Sequence, residues 1–183
     1  LKPIEYESNL KQTLKFLKKT KLNPKYINLG GGLPDTAIIK NYNTTLDYYF
    51  KLIEKYLSNT KATFIIEPGR ALVSSAMHLI TKVHYIKHKH NNTYAILDAG
   101  INLLPKITLA NHKITKLTTT HSPTKPKSEN YTLAGPLLFS NDIIAQFQGH
   151  LEQGDLLKIT NAGAYCYNLA WTISYPKPKV YIK

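Results

Sequence analysis

Residues 26–34, YINLGGGLP, and residues 62–70, ATFIIEPGR, decide how the first part of this chain folds. Each is a short β-branched and aromatic run that stops at glycine, the signature of a strand feeding a tight loop. Between them, Thr45 to Leu57 (TLDYYFKLIEKYL) carries apolar residues at 46, 49, 50, 53 and 57, a helical stripe. Upstream, residues 5–20 form an amphipathic helical pattern that Asn23-Pro24 interrupts, and downstream Ala71 to about Leu79 is again helix-compatible. Helix, strand, helix, strand, helix is the order of parallel α/β units.

From about Lys82 the texture changes to the strand-like runs VHYIKHK, TYAILDAG, HKITKLTTT and YTLAG. Residues 121–130, HSPTKPKSEN, are polar and proline-bearing, the composition of an exposed loop, while Asp155 to Thr160 and Lys179 to Ile182 complete the set of expected strands. The sequence thus predicts an α/β part over 1–81 and a mostly antiparallel β domain over 82–183.

Composition narrows the function classes. With 43% hydrophobic residues among 183, the chain has enough apolar material for a core, and no run approaches the ~18 residues of a membrane span. A single cysteine excludes an internal disulfide, and the opening LKPIEYESNLKQ lacks the apolar core of a secretory signal, so a cytoplasmic setting is expected. The chain opens at Leu1 and its only methionine is Met77, the pattern of a processed or incomplete chain. A net charge of +13 suggests a polyanion partner, yet of 24 basic residues only Arg70 is an arginine. Readers of nucleic acid depend on arginine's planar fork, and the densest lysine cluster (Lys11, Lys15, Lys18, Lys19, Lys21) follows one helical pattern as a solvated face. No nucleic-acid partner is expected. His84, His88 and His90 share one face of an extended strand but bring no carboxylate, so no metal site is expected either.

Two positions carry chemistry on physical grounds. Gly30, Gly31 and Gly32, just past a strand, let backbone N–H groups approach an anion with no Cβ in the way. Glu67 closes the second strand, and Gly69 and Arg70 follow it with backbone N–H groups and a fork-shaped cation suited to phosphate.

Four separated motifs in fixed order then carry a resemblance: NLGGGLP (28–34), EPGRALVSSA (67–76), LDAGINLLP (97–105), and AGPLLFSND (134–142) followed by GDLLKITNAGAY (154–165). Together they resemble the fold-type III pyridoxal-phosphate decarboxylases, which include the diaminopimelate, ornithine and arginine decarboxylases. The resemblance implies an alanine-racemase-like TIM barrel followed by a β-barrel-like domain, with residues 1–81 supplying the last two βα units of the barrel. About six earlier units, on the order of 200 residues, would then form the missing N-terminal barrel half. It also implies a homodimer, an amino-acid substrate, loss of carbon dioxide, and a Schiff-base lysine that lies outside these residues. The loop Gly30–Gly32, Gly69, Arg70 and the Tyr165 hydroxyl would hold the cofactor phosphate, and Glu67 the pyridine nitrogen. No residue of this chain is assigned a catalytic role.

Departures from the family pattern fall in one place and its surroundings. Where the family has a cysteine after Gly-Pro-x, serving the neighbouring subunit's site, the chain has Leu138, and Phe139 follows where diaminopimelate enzymes have a glutamate. Lys106 stands for a common arginine, and Ile173 for an expected aromatic residue. These changes leave open a catalytically silent homologue that binds or regulates a partner. Cys166, on a different loop, reads as a small packed residue.

Overall fold

A computed structural model describes residues 1–107, 112–117, 128–173 and 175–182. The chain divides into two compact units, Leu1–Ser74 and Ser75–Lys183. In the first, α1 (Pro3–Thr20), β1 (Tyr26–Asn28), α2 (Thr36–Asn41), α3 (Leu46–Leu57), β2 (Thr63–Ile65) and α4 (Arg70–Val73) follow in order. β1 and β2 pair in parallel, Tyr26 opposite Thr63 and Asn28 opposite Ile65. Helices α2 and α3 start where side chains cap them: Asp35 accepts from the Ala37 and Ile38 amides, and the Thr45 hydroxyl from the Tyr48 amide. The core is α1 against α3, with Tyr6 and Leu10 packed on Tyr49, Leu52, Ile53 and Leu57. The expected α3 stripe shifts by one position: Leu52 is buried, whereas Leu46 and Phe50 are exposed. All five clustered lysines of α1 and its C-cap are exposed.

The second unit is a six-stranded mixed sheet in the order β5-β8-β3-β4-β6-β7. Its strands are β3 (Leu79–Lys89), β4 (Asn92–Leu97), β5 (Ile114–Lys116), β6 (Glu129–Ala134), β7 (Ile143–Gly149) and β8 (Leu156–Ile159). Every pairing is antiparallel except β4 with β6, where Ile96 lies opposite Ala134. Alternate residues Val83, Ala95, Leu97, Tyr131, Leu133, Leu157 and Ile159 fill one core. The sheet is nearly closed, and one ammonium joins its two outer strands. Lys116 on β5 lies 2.7 Å from the Asp155 carboxylate ahead of β8 and donates at 3.2 Å to the carbonyl of His150, the residue after β7.

Several expected elements are corrected. The helix over 71–79 is only the single turn α4, followed by a 3₁₀ turn at Ser74–Ala76, because Leu79–Lys82 pair with β8 and are taken into the sheet. Sheet pairing outcompetes local helix propensity. The polar stretch after Pro34 contains α2, which six residues make too short for a periodic signal. Lys179 to Ile182 do not form a strand. Glu129 and Asn130 belong to β6, while residues 121–127 of the expected loop and 118–120 of HKITKLTTT lie outside the described residues. A bulge between Val83 and Tyr85 breaks the alternation of β3, so His84 and His88 do not share a face, and His90 sits in the following turn.

The Lys116–Asp155 pair yields a stability prediction. Both side chains are largely buried, so Lys116→Ala leaves a desolvated carboxylate short of its cation and should destabilise the second unit by about 3 kcal/mol. Lys87→Ala, on an exposed position of β3, should stay within about 0.5 kcal/mol. Hydrogen exchange of the β8 amides reads both, and equal protection in the two variants would refute the role given to Lys116.

Candidate functional site

In the first unit the sequence-predicted residues converge at the C-terminal ends of β1 and β2. Gly30 and Gly32 take φ of +66° and +87°, conformations that only glycine adopts without strain, and a Cβ on Gly31 would come within 3.0 Å of the Glu67 carbonyl oxygen. The two strand ends are stitched by Leu29 N–H to the Ile65 carbonyl at 2.9 Å and Glu67 N–H to the Gly30 carbonyl at 2.7 Å. Asn28, which sequence reasoning passed over, ties side chain to loop. Its Oδ1 accepts from the Gly30 amide at 2.7 Å and its Nδ2 donates to Glu67 Oε1 at 2.6 Å. The carboxylate of Glu67 and the backbone of the glycine loop are therefore set by one amide side chain.

Gly69 caps α4 and Arg70 opens it. Four residues give a weak dipole, so what Arg70 brings here is its own charge. The guanidinium is mostly buried, and its Nη1 lies 3.9 Å from Oδ2 of Asp35, which is 2% exposed. Asp35 was also absent from the expected set. Its only sequence signal was a carboxylate just before TAIIK, an N-cap cue.

The second unit holds Tyr165 and the segment around Leu138. Tyr165 is half-exposed and sits at φ +58° in a turn after β8, a left-handed conformation that costs a non-glycine residue roughly 1–2 kcal/mol. Cys166 beside it is buried, donates to the Ala164 carbonyl, and has its thiol pKa pushed up by that burial, which fits the packing role expected for it. The loop after β6 is organised by Asp142. This carboxylate, 2% exposed, accepts from the Ile101 amide at 2.7 Å and from the Leu137 amide at 2.8 Å. A Cβ on either Gly100 or Gly135 would collide with it. Leu138 then projects fully into solvent, and Phe139 lies on the Trp171 ring with centroids 6.0 Å apart. Trp171 in turn donates from its backbone and indole N–H groups to the carbonyls of Asn102 and Ile101. Among the described residues, no three His, Cys, Asp or Glu side chains gather as a metal site, and no helix is long and apolar enough to cross a membrane.

Residues 34–163 match the pyridoxal-dependent decarboxylase family over its C-terminal sheet domain. The chain belongs to that family. The match includes Glu67, Gly69 and Arg70, Gly100, and the Gly135–Asp142 loop, and it stops short of the Gly30–Gly32 loop at one end and of Tyr165 at the other. The chain is 29% identical to the diaminopimelate decarboxylase of Vibrio cholerae over 84% of its own length and 37% of that protein's. It is 32% identical to that of Pseudomonas fluorescens over 77% and 33%, respectively. Among solved structures, diaminopimelate decarboxylase from Helicobacter pylori complexed with L-lysine superposes with a TM-score of 0.68 at 29% identity, covering 91% of this chain and 42% of that one. The chain thus spans between a third and just over two fifths of the length of these family members.

Within the family's sheet domain, the Asp142 device gives a direct test. Asp142→Ala strips two buried amides of their acceptor and should cost about 3–5 kcal/mol, whereas Asp142→Asn keeps one amide–acceptor pairing and should cost less. Gly135→Ala should mimic the loss sterically. Exchange rates of the Ile101 and Leu137 amides report on each variant, and unchanged protection in Asp142→Ala would disprove the device.

Proposed function

We propose that this chain is the C-terminal part of a pyridoxal-phosphate-dependent amino-acid decarboxylase, with residues 1–74 forming the last two strand–helix units of a barrel completed by residues beyond this chain. The parallel β1–β2 pair supports that reading, since a two-stranded parallel sheet with Tyr26 and Ile65 exposed is a fragment of something larger. The observation that carries the functional reading is the Asn28 bridge, which places a carboxylate and a glycine-lined loop in one rigid frame at the strand ends where barrels put their sites.

The residues present fit pyridoxal phosphate. Gly30, Gly31 and Gly32 leave backbone uncovered by any Cβ, Arg70 supplies a cation near it, and Glu67 keeps Oε2 without a hydrogen bond among the described residues. When bound, the cofactor supplies an electron-accepting pyridinium ring for the electrons released with carbon dioxide. The chain's own part is to hold it: Gly30–Gly32, Gly69 and Arg70 would bind the phosphate, and Glu67 would keep a proton on the ring nitrogen while Asn28 fixes the direction of its carboxylate. Two copies pair, and the loop carrying Leu138 and Phe139 faces the other copy's site. Neither side chain can give a proton, so the proton returned to the substrate carbon comes from another group. A cytoplasmic setting is part of the same reading, and the single, buried cysteine is compatible with it.

The test uses the intact protein that carries this chain, supplied with pyridoxal phosphate and offered diaminopimelate, lysine, ornithine or arginine. Carbon dioxide should be released from at least one, and Glu67→Gln should slow release by roughly 10²–10⁴-fold, the range of a well-placed proton-holding group. Arg70→Ala should weaken cofactor binding about 10- to 150-fold, Arg70→Lys should recover part of that, and Lys87→Ala should change nothing. A protein that takes up no cofactor, or releases no carbon dioxide from any of the four, would overturn the proposal.

A further inference from the structure

Asp35 is buried, yet only half of its carboxylate is satisfied. Oδ1 accepts from the Ala37 amide at 3.1 Å and from the Ile38 amide at 3.0 Å, which caps α2 and fixes the chain as it leaves the glycine loop through buried Leu33 and Pro34. Oδ2 is also buried and takes no hydrogen bond among the described residues. A desolvated carboxylate oxygen with no donor is expensive, and it persists where a cation faces it. Arg70 Nη1 is at 3.9 Å, close enough for Coulomb attraction and too far for a hydrogen bond. Asp35 therefore pulls on the guanidinium without consuming one of its N–H groups. Arg70 follows Glu67 by three residues, and the Glu67 N–H bonds the Gly30 carbonyl at 2.7 Å, so the guanidinium is carried by the segment that is stitched to the glycine loop.

We propose that Asp35 is a positioning residue for Arg70: one oxygen anchors the segment that follows the glycine loop, and the other holds the guanidinium toward that loop so that it can meet a phosphate monoester. This rests on the reading of Gly30–Gly32 and Arg70 as a phosphate site. It assigns Asp35 a role that is not simply helix capping, because the uncapped oxygen is the one aimed at Arg70. It also accounts for a buried acid beside a site meant for an anion: its charge is spent on the arginine, and the pair stays near neutral until phosphate arrives.

The experiment is a titration of the intact protein with pyridoxal phosphate and, separately, with pyridoxal, which lacks the phosphate. Asp35→Asn keeps the Oδ1 acceptor and the volume while removing the charge. It should weaken binding of pyridoxal phosphate about tenfold, the scale of one charge-assisted contact, and leave pyridoxal binding unchanged. Combined with Arg70→Ala it should add nothing to the loss that Arg70→Ala causes alone. Asp35→Ser, which caps α2 through its hydroxyl, should behave as Asp35→Asn does and covers the case in which the asparagine fails to fold. The proposal is overturned if these variants weaken both ligands equally, if the losses at 35 and 70 multiply, or if Asp35→Asn has no effect. Should Arg70→Ala itself bind the two ligands in the wild-type ratio, the phosphate reading fails first and takes this one with it.

Discussion

The second unit depends on one buried carboxylate. β4 and β6 run parallel, so their chains leave the sheet side by side at the same end, and two adjacent exits with no hairpin between them have no local means of holding their loops. Asp142 provides it. Each of its oxygens takes one backbone amide, Ile101 from the loop after β4 and Leu137 from the loop after β6. The carboxylate fits between the two backbones only because Gly100 and Gly135 have no side chains. Gly100 from one loop and Gly135 and Asp142 from the other are thus one device, which gives a physical role to the glycines of Asp98-Ala99-Gly100 and Gly135-Pro136 and to the acid of Asn141-Asp142. Trp171 extends the clamp by hydrogen bonding to the carbonyls of Ile101 and Asn102.

The first unit uses the same logic with an amide in place of an acid. Two parallel strands of three residues each cannot organise their own ends, and Asn28 does so by accepting from Gly30 and donating to Glu67. An asparagine can do both jobs because its side chain has a donor and an acceptor, whereas an aspartate there would repel Glu67. The consequence is that the loop and the carboxylate move together.

What the sequence disclosed follows from the range of each interaction. Helices α1 and α3, the two strand–glycine junctions and most of the β-rich second half were legible because their signals are local: a stripe, an alternation, a glycine after a β-branched run. What the sequence concealed was decided at a distance. The helix expected over 71–79 was cut short because Leu79–Lys82 find β8 some 75 residues further on. The histidine face of β3 dissolved at a bulge that no alternation pattern announces. At the site, Gly30–Gly32, Glu67 and Arg70 could be named from strand ends and side-chain chemistry, but Asn28, Asp35 and Asp142 could not. Each of these three acts by linking segments, and a linker's partner is not written beside it.

The loop between Gly135 and Asp142 also shows how residue 138 could vary without damage to the fold. Its backbone is fixed from inside, by the Asp142 carboxylate and by the hydrogen bonds from Gly135 N–H to the Asp142 carbonyl and from Asp142 N–H to the Phe139 carbonyl. None of these contacts involves the side chain at 138. Leu138 is fully exposed, so exchanging a polar or reactive residue for leucine at that position neither opens a cavity nor orphans a polar group. Position 139 is only partly coupled, through the face of Trp171. Stability therefore places strong constraint on 100, 135 and 142 and almost none on 138. Any selection acting on residue 138 has to come from what that side chain meets outside its own unit, and an apolar side chain wholly in water is stabilising only if a second surface covers it.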